Sequence, residues 1–167
     1  TELADDLVGG VLSAGSDRLE AAGELGIPQV VSLGALDMVN FGPVDTVPVQ
    51  FRKRLLYQHN PTVTLMRTTP EECAELGRRI GRKLSAATGP VTLFIPLRGV
   101  SLIAVDGQVF HDPEADRALF EGVRETLDPR VDVRELDTDV NDPAFAHAMA
   151  DALHEHYQAC TAGGVRA

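Results

Sequence analysis

Three times the chain begins a helix in the same way, with a capping side chain followed at once by proline. The stretches are "TPEECAELGRRIGRKL" from Thr69, "DPEADRALFEGVRETL" from Asp112 and "DPAFAHAMADALHEHY" from Asp142. Thr or Asp accepts from free N–H groups of the first turn, and proline at the first helical position gives up only an N–H that would go unpaired. In the first stretch Glu72 completes a capping box. Each cap opens an apolar stripe at helical spacing: Cys73, Leu76, Ile80 and Leu84; then Ala115, Leu119, Val123 and Leu127; then Phe145, Met149, Ala152 and Leu153. Short apolar runs lie before and between these helices, at 27–33 ("IPQVVSL"), 62–66, 91–95 and 131–136. The alternation predicts an α/β three-layer sandwich with a mostly parallel, Rossmann-like sheet.

The N-terminal segment carries Leu3, Leu7, Val8, Val11 and Leu12 at helical spacing, with Gly9 and Gly10 inside the pattern. "GGVLSAG" lacks the GK[ST] ending of a phosphate loop and does not follow a strand, so close helix packing is the reading. A second short helix is expected from Ser16 as cap to Gly26. Residues 1–157 read as a single domain and 158–167 as a loose tail. An α/β chain usually opens with a strand and this one opens at a helix. The first strand is therefore expected to be missing, and the chain to be a piece of something longer.

A length of 167 residues suits one hydrophobic core. A net charge of −10 argues against nucleic acid as a partner. No apolar run reaches the roughly 18–20 residues a membrane span needs, and no basic region followed by an apolar stretch marks a signal peptide. The two cysteines, Cys73 and Cys160, have no metal or redox spacing and read as free thiols of a cytoplasmic protein. No acidic residue falls between Asp45 and Glu71, where Arg52, Lys53, Arg54, His59 and Arg67 lie. Such a window either draws an anion or pairs with acidic helices.

Ligands of open α/β sheets bind beyond the carboxyl ends of the strands. After 27–33 comes "LGALDMVNFGP", a loop with Gly34, Asp37 and Asn40 among apolar residues. After 62–66 come Arg67, Thr68 and Thr69 at a helix start; after 91–95 come Arg98, Gly99 and Ser101. Caps or glycines, hydroxyl or amide donors and a cation suit a carboxylate, phosphate or other oxyanion, with Arg67 as clamp and Asn40 and Ser101 orienting. His59 and Asn60 precede Pro61 and approach the strand in extended form. A neutral His59 with Asp37 as partner would make a general acid–base pair; otherwise His59 is a loop histidine and Thr69 a plain N-cap. His147, Asp151 and His154 share a helix face opposite the apolar stripe and read as solvated, so no metal is expected.

"TELADDLVGGVLSAGSDRLEAAGELGIPQVVSLGALDMVNFGP", "HNPTVTLMRTTPEE", "IPLRGVS" and "FHDPEADRALF" together resemble the C-terminal half of an uncharacterised family. Its bacterial and fungal members are commonly labelled ATP-binding, and it includes the tomato mosaic virus resistance protein, an inhibitor of viral RNA replication. The resemblance runs to about residue 157 and implies the second lobe of a two-lobed α/β protein. It also implies dimerisation, and ATP contacts lying mainly in the N-terminal lobe. A ligand-binding lobe for a small anionic metabolite or nucleotide is then the leading reading. A hydrolase or lyase built on His59 and Asp37 is the alternative, as is an interaction module docking through its basic segment, its own N-terminal lobe included.

Overall fold

The computed structural model describes residues 1–163. The elements run α1 (Glu2–Val8), α2 (Ala21–Glu24), β1 (Gln29–Ser32), β2 (Met38–Phe41), β3 (Leu56–Asn60), β4 (Val63–Arg67), α3 (Pro70–Ser85), β5 (Val91–Pro96), α4 (Pro113–Thr126), β6 (Asp132–Leu136) and α5 (Pro143–Gly163), with 3-10 turns at Val44–Thr46 and Val49–Phe51. The expected single, mostly parallel sheet divides in two. β1, β5 and β6 form a parallel sheet with β5 central, while β2, β4 and β3 form an antiparallel sheet with β4 central. The division arises because 33–43 is not all loop: Met38–Phe41 pairs antiparallel with β4. β3 and β4 are joined by a turn in which Asn60 Oδ1 accepts from Thr62 N (2.9 Å) and Thr62 Oγ1 (3.0 Å). Polar residues inside β2 and β3 hid both strands from a reading by apolar runs.

The three cap-proline helices form as expected. Thr69 Oγ1 accepts from Glu72 N while Thr69 N donates to Glu72 Oε2, a complete capping box. Asp112 Oδ1 accepts from Glu114 N and Ala115 N, and Asp142 Oδ1 from Ala144 N. Successive residues of β5 face opposite ways. Leu93 and Ile95 join the large core with α3 and α4. Phe94 packs edge-on against Phe145, in a smaller core with Ala152 of α5. Helices therefore cover both faces of the parallel sheet.

α3 and α4 cross closely because glycine is placed where backbones meet. A Cβ on Gly77 would sit 2.3 Å from Leu119 O, and one on Gly122 2.3 Å from Ala74 O. Neither backbone atom can move aside without separating the helices, and overpacking of this kind typically costs roughly 1–3 kcal/mol.

Three expectations are corrected near the chain ends. Gly9 and Gly10 terminate α1 rather than interrupt a longer helix: Gly9 adopts φ 102°, the left-handed cap that favours glycine. α2 starts at Ala21 without a side-chain cap, not at Ser16. α5 continues to Gly163, so the tail expected to be loose from 158 is helical that far; residues 164–167 lie outside the described ones. Among the described residues, no helix is long and apolar enough to cross a membrane. Cys73 is buried and Cys160 exposed, both as free thiols.

Candidate functional site

The carboxyl end of β5 runs into residues 97–112, a long connection without regular structure that is nonetheless tied down on several sides. Leu97 N donates to Leu136 O, Arg98 N to Thr138 O, Val140 N to Gly99 O and Ala35 N to Val100 O. Phe110 N closes the loop on Ile103 O at 2.8 Å. A long ordered connection of this kind in a small domain is characteristic of binding and active-site segments.

Behind this loop lies a buried polar network. Arg67, at the end of β4, is only 5% exposed. Its Nε donates to Phe110 O (2.9 Å), its Nη1 to Thr68 Oγ1 (3.1 Å), and its Nη2 to Asp116 Oδ1 (2.8 Å) and Asp112 O (3.4 Å). The guanidinium expected to clamp an external anion is therefore spent inside the protein, holding the loop and the first turns of α4. Thr68 Oγ1 donates to Leu36 O, and Thr68 N to Asp37 O, at 3.0 Å each. Asp37 is fully buried. Its Oδ2 accepts from Ser101 Oγ at 2.6 Å, and its Oδ1 is buried without a partner. Burial pushes the Asp37 carboxyl above the ordinary range, against the pull of Ser101 and of the Arg67 charge. Burial also raises Asp116, although Arg67 beside it pulls the other way. The Cys73 thiol, under the same network, is pushed up to about 11 by burial, which makes it a poor nucleophile.

On the solvent side of Asp116 a cleft of about 500 Å³ opens at the carboxyl end of β5. Arg98, His111, Arg117 and Arg124 surround it together with Asp106, whose Oδ1 lies 3.7 Å from His111 Nε2; Leu97 and Phe120 supply apolar wall, and Asp116 forms part of its floor. The cations are held loosely. Arg98 pairs with Asp137 at the surface (2.6 and 2.7 Å), Arg124 pairs with the exposed Glu135, and Arg117 lies 3.9 Å from Glu121. Exposed pairs of this type contribute little and exchange partners readily.

The expected site residues divide between this region and others. Asp37, Arg67, Thr68 and Ser101 come together, with Arg98 and Gly99 on the same loop. Gly34 lies on the neighbouring strand end, where a Cβ would meet Val140 Cγ2 at 3.1 Å. Asn40 belongs elsewhere: its backbone N (2.8 Å) and Nδ2 (3.2 Å) donate to Asp5 Oδ1. Thr69 is occupied as the cap of α3. Asn60 serves the β3–β4 turn.

The acid–base pair of His59 and Asp37 is not formed. Met38 stands opposite Arg67 at one end of β4, whereas Gln58 and Asn60 stand opposite Thr64 and Val63 towards the other, with the register shift between them. Strand spacing separates Asp37 from His59 by roughly 15 Å, and His59 is exposed. Three arginines of the basic window, Arg52, Arg54 and Arg67, are taken up by internal contacts, while Lys53 and His59 are exposed. Arg54 grips Glu72 through two bonds (2.8 and 3.1 Å), and Arg52 donates to Val47 O and Asp45 O.

Asp116, Arg117, Phe120 and Arg124 were not singled out from sequence. Their spacing does carry a signal: with Pro113 they form an i, i+3, i+4, i+7, i+11 face beside the apolar stripe of α4. Among the described residues, no group of three or more His, Cys, Asp or Glu side chains is arranged to hold a metal ion.

An α/β domain with an arginine-lined cleft beyond its parallel strands is the class of protein this geometry defines. The chain belongs to the uncharacterised protein family UPF0261, whose C-terminal domain matches residues 1–157. It is 56% identical over 154 residues to a UPF0261 protein of Clostridium tetani, covering 92% of this chain and 38% of that one. It is 50% identical over 157 residues to a UPF0261 protein of Rhizobium meliloti, covering 93% and 39%. It is 42% identical over 157 residues to the tomato (Solanum lycopersicum) ToMV resistance protein Tm-1(GCR237), covering 93% and 21%. The chain thus spans about two fifths of the length of these bacterial relatives and about one fifth of the tomato protein.

Proposed function

We propose that this chain is the ligand-binding lobe of a two-lobed, Rossmann-like cytoplasmic protein, and that it takes a small anionic metabolite or nucleotide in the cleft beyond β5. The observation that carries the reading is the set Arg98, Arg117, Arg124 and His111 around one concavity that also holds Asp106 and Asp116, in a chain whose overall charge is −10. Local positive charge in an acidic protein concentrates anions where the cleft is. Binding is favoured over acid–base turnover because His59 and Asp37 are far apart. ATP fits this reading as a ligand of the longer protein, with most of its contacts in the N-terminal lobe, as the family resemblance implies.

The N-terminal lobe is the proposed protein partner, within a dimeric full-length protein. The large share of the relatives' length outside this chain supports it. So does an apolar groove formed by Ile27 and Pro28 with Leu153 and Tyr157 of α5.

Thermal unfolding in the presence of pyrophosphate, citrate and inorganic phosphate tests the cleft, beside an Arg117→Ala/Arg124→Ala variant. A ligand at about one hundred times its Kd stabilises by roughly 2.7 kcal/mol. The expected result is a rise in Tm for the parent and a much smaller rise for the variant. Equal rises in both proteins, or none in either, would contradict the reading.

A further inference from the structure

The cleft has a feature that a bare-anion site would not carry, carboxylates in its lining: Asp106, 3.7 Å from His111, and Asp116 in the floor. Asp116 Oδ1 is held by Arg67 Nη2 at 2.8 Å. Among the described residues no donor lies on Oδ2, and the side chain is 14% exposed where it borders the cleft. An ionised carboxylate is an acceptor only, so a ligand lying against it must bring a donor. An ammonium is a poor candidate for that donor, because the Arg67 guanidinium stands directly behind Asp116 and the guanidiniums of Arg98, Arg117 and Arg124 outnumber the other carboxylate of the lining, Asp106, which faces His111. A hydroxyl has no such conflict.

The cations define the other end of the ligand. The N-terminus of α4 is not free to bind an anion: Asp112 Oδ1 already takes Glu114 N and Ala115 N, and Pro113 has no N–H. Anion affinity must therefore come from side chains, and three guanidiniums exceed what a single carboxylate can use while suiting the oxygens of a phosphate. Leu97 and Phe120 offer apolar wall between the two polar ends.

We propose that the ligand of this cleft is a hydroxyl-bearing phosphate monoester of the sugar phosphate or polyol phosphate class. Its phosphate meets Arg98, Arg117 and Arg124, and a hydroxyl donates to Asp116. The proposal rests on the anion-binding reading above and names its ligand class.

Calorimetric titration of the chain with ribose 5-phosphate and with methyl phosphate, on the parent and on Asp116→Asn, separates the two claims. On the parent, ribose 5-phosphate is expected to bind about tenfold more tightly than methyl phosphate, the effect of one hydrogen bond to a charged acceptor. In Asp116→Asn most of that advantage is lost, while methyl phosphate binds as well as before or better, because a negative charge has left the floor. Equal affinities on the parent would overturn the hydroxyl assignment and leave the anion cleft standing; this comparison needs no variant, so it survives if Asp116→Asn fails to fold. Retention of the full advantage in a folded Asp116→Asn would also overturn it. Absence of binding by either phosphate would overturn both claims.

Discussion

Two aspartates are buried in this domain, and they are treated very differently. Asp5, 1% exposed, accepts from Leu12 N on Oδ2 (2.8 Å) and from Asn40 N on Oδ1 (2.8 Å), and both oxygens are within reach of Asn40 Nδ2. It joins the end of α1, the turn after it and β2, and every bond is to the protein. Asp37, 0% exposed, has one donor, Ser101 Oγ, and one oxygen with none. A buried charge that is fully satisfied is a structural staple. One left half satisfied costs stability that a purely structural position has no reason to bear. The second kind stands behind the β5 cleft, in line with Arg67 and Asp116, and that is where function is placed.

The largest expected effect lies in the one strong part of the less satisfied region. Arg67→Met leaves Asp116 without its partner and frees Phe110 O, and removing one member of a buried pair costs roughly 3–5 kcal/mol. Denaturant unfolding checks it; a loss under about 1 kcal/mol would mean the network is less cohesive than its geometry. Next, Asp5→Asn puts an amide donor where only acceptors fit and leaves buried N–H groups unpaired, an expected loss of about 2–3 kcal/mol. The same change at Asp37 replaces a buried, half-satisfied carboxyl with a neutral amide and is expected to stay within about 1 kcal/mol of the parent. Similar losses at the two sites would erase the distinction between them.

The pH dependence sharpens the comparison further. The Asp37 carboxyl is raised from an ordinary value near 3.8 in the fold, so between that value and the raised one the folded state holds a proton that the unfolded state has released. Its contribution is full below the ordinary value and is lost as pH rises through the raised one. Asp37→Asn removes this loss. Relative to the parent, the variant is expected to gain stability as pH rises through that window. A difference that is flat with pH, or falls, would contradict the burial of a reluctant charge. The smallest effect is reserved for Arg98→Ala: its pair with Asp137 is exposed on both sides, and the unfolding midpoint is expected not to move beyond replicate scatter.

Much of the frame was legible because it is written locally. Thr69, Asp112 and Asp142 state where helices start, and the stripes behind them state which face is buried. The apolar runs at 27–33, 62–66 and 91–95 contain strands because their side chains meet apolar partners, completely along β5 and in part along β1, where Val30 and Val31 pack against opposite cores. β2 and β3 were missed for the converse reason. Asn40 is a buried strand residue only because Asp5, distant in sequence, supplies its partner, and β3 is an edge whose Gln58, His59 and Asn60 face solvent. The residues around the cleft were half legible: the strand-end rule pointed to Arg98, Gly99 and Ser101, but Asp116, Arg117 and Arg124 lay within an ordinary helix pattern. Arg67 was placed near the right region with the wrong role, since a sequence shows a cation and not the direction in which it turns.

The most direct test of the cleft is a ¹⁵N-resolved NMR titration of the chain with inorganic phosphate. Perturbations concentrated on the amides of 97–100 and on the α4 face around Arg117 and Arg124, with residues 52–60 unmoved, are expected. Perturbations centred on the 52–60 segment, or none anywhere, would contradict the assignment of function to the carboxyl end of β5.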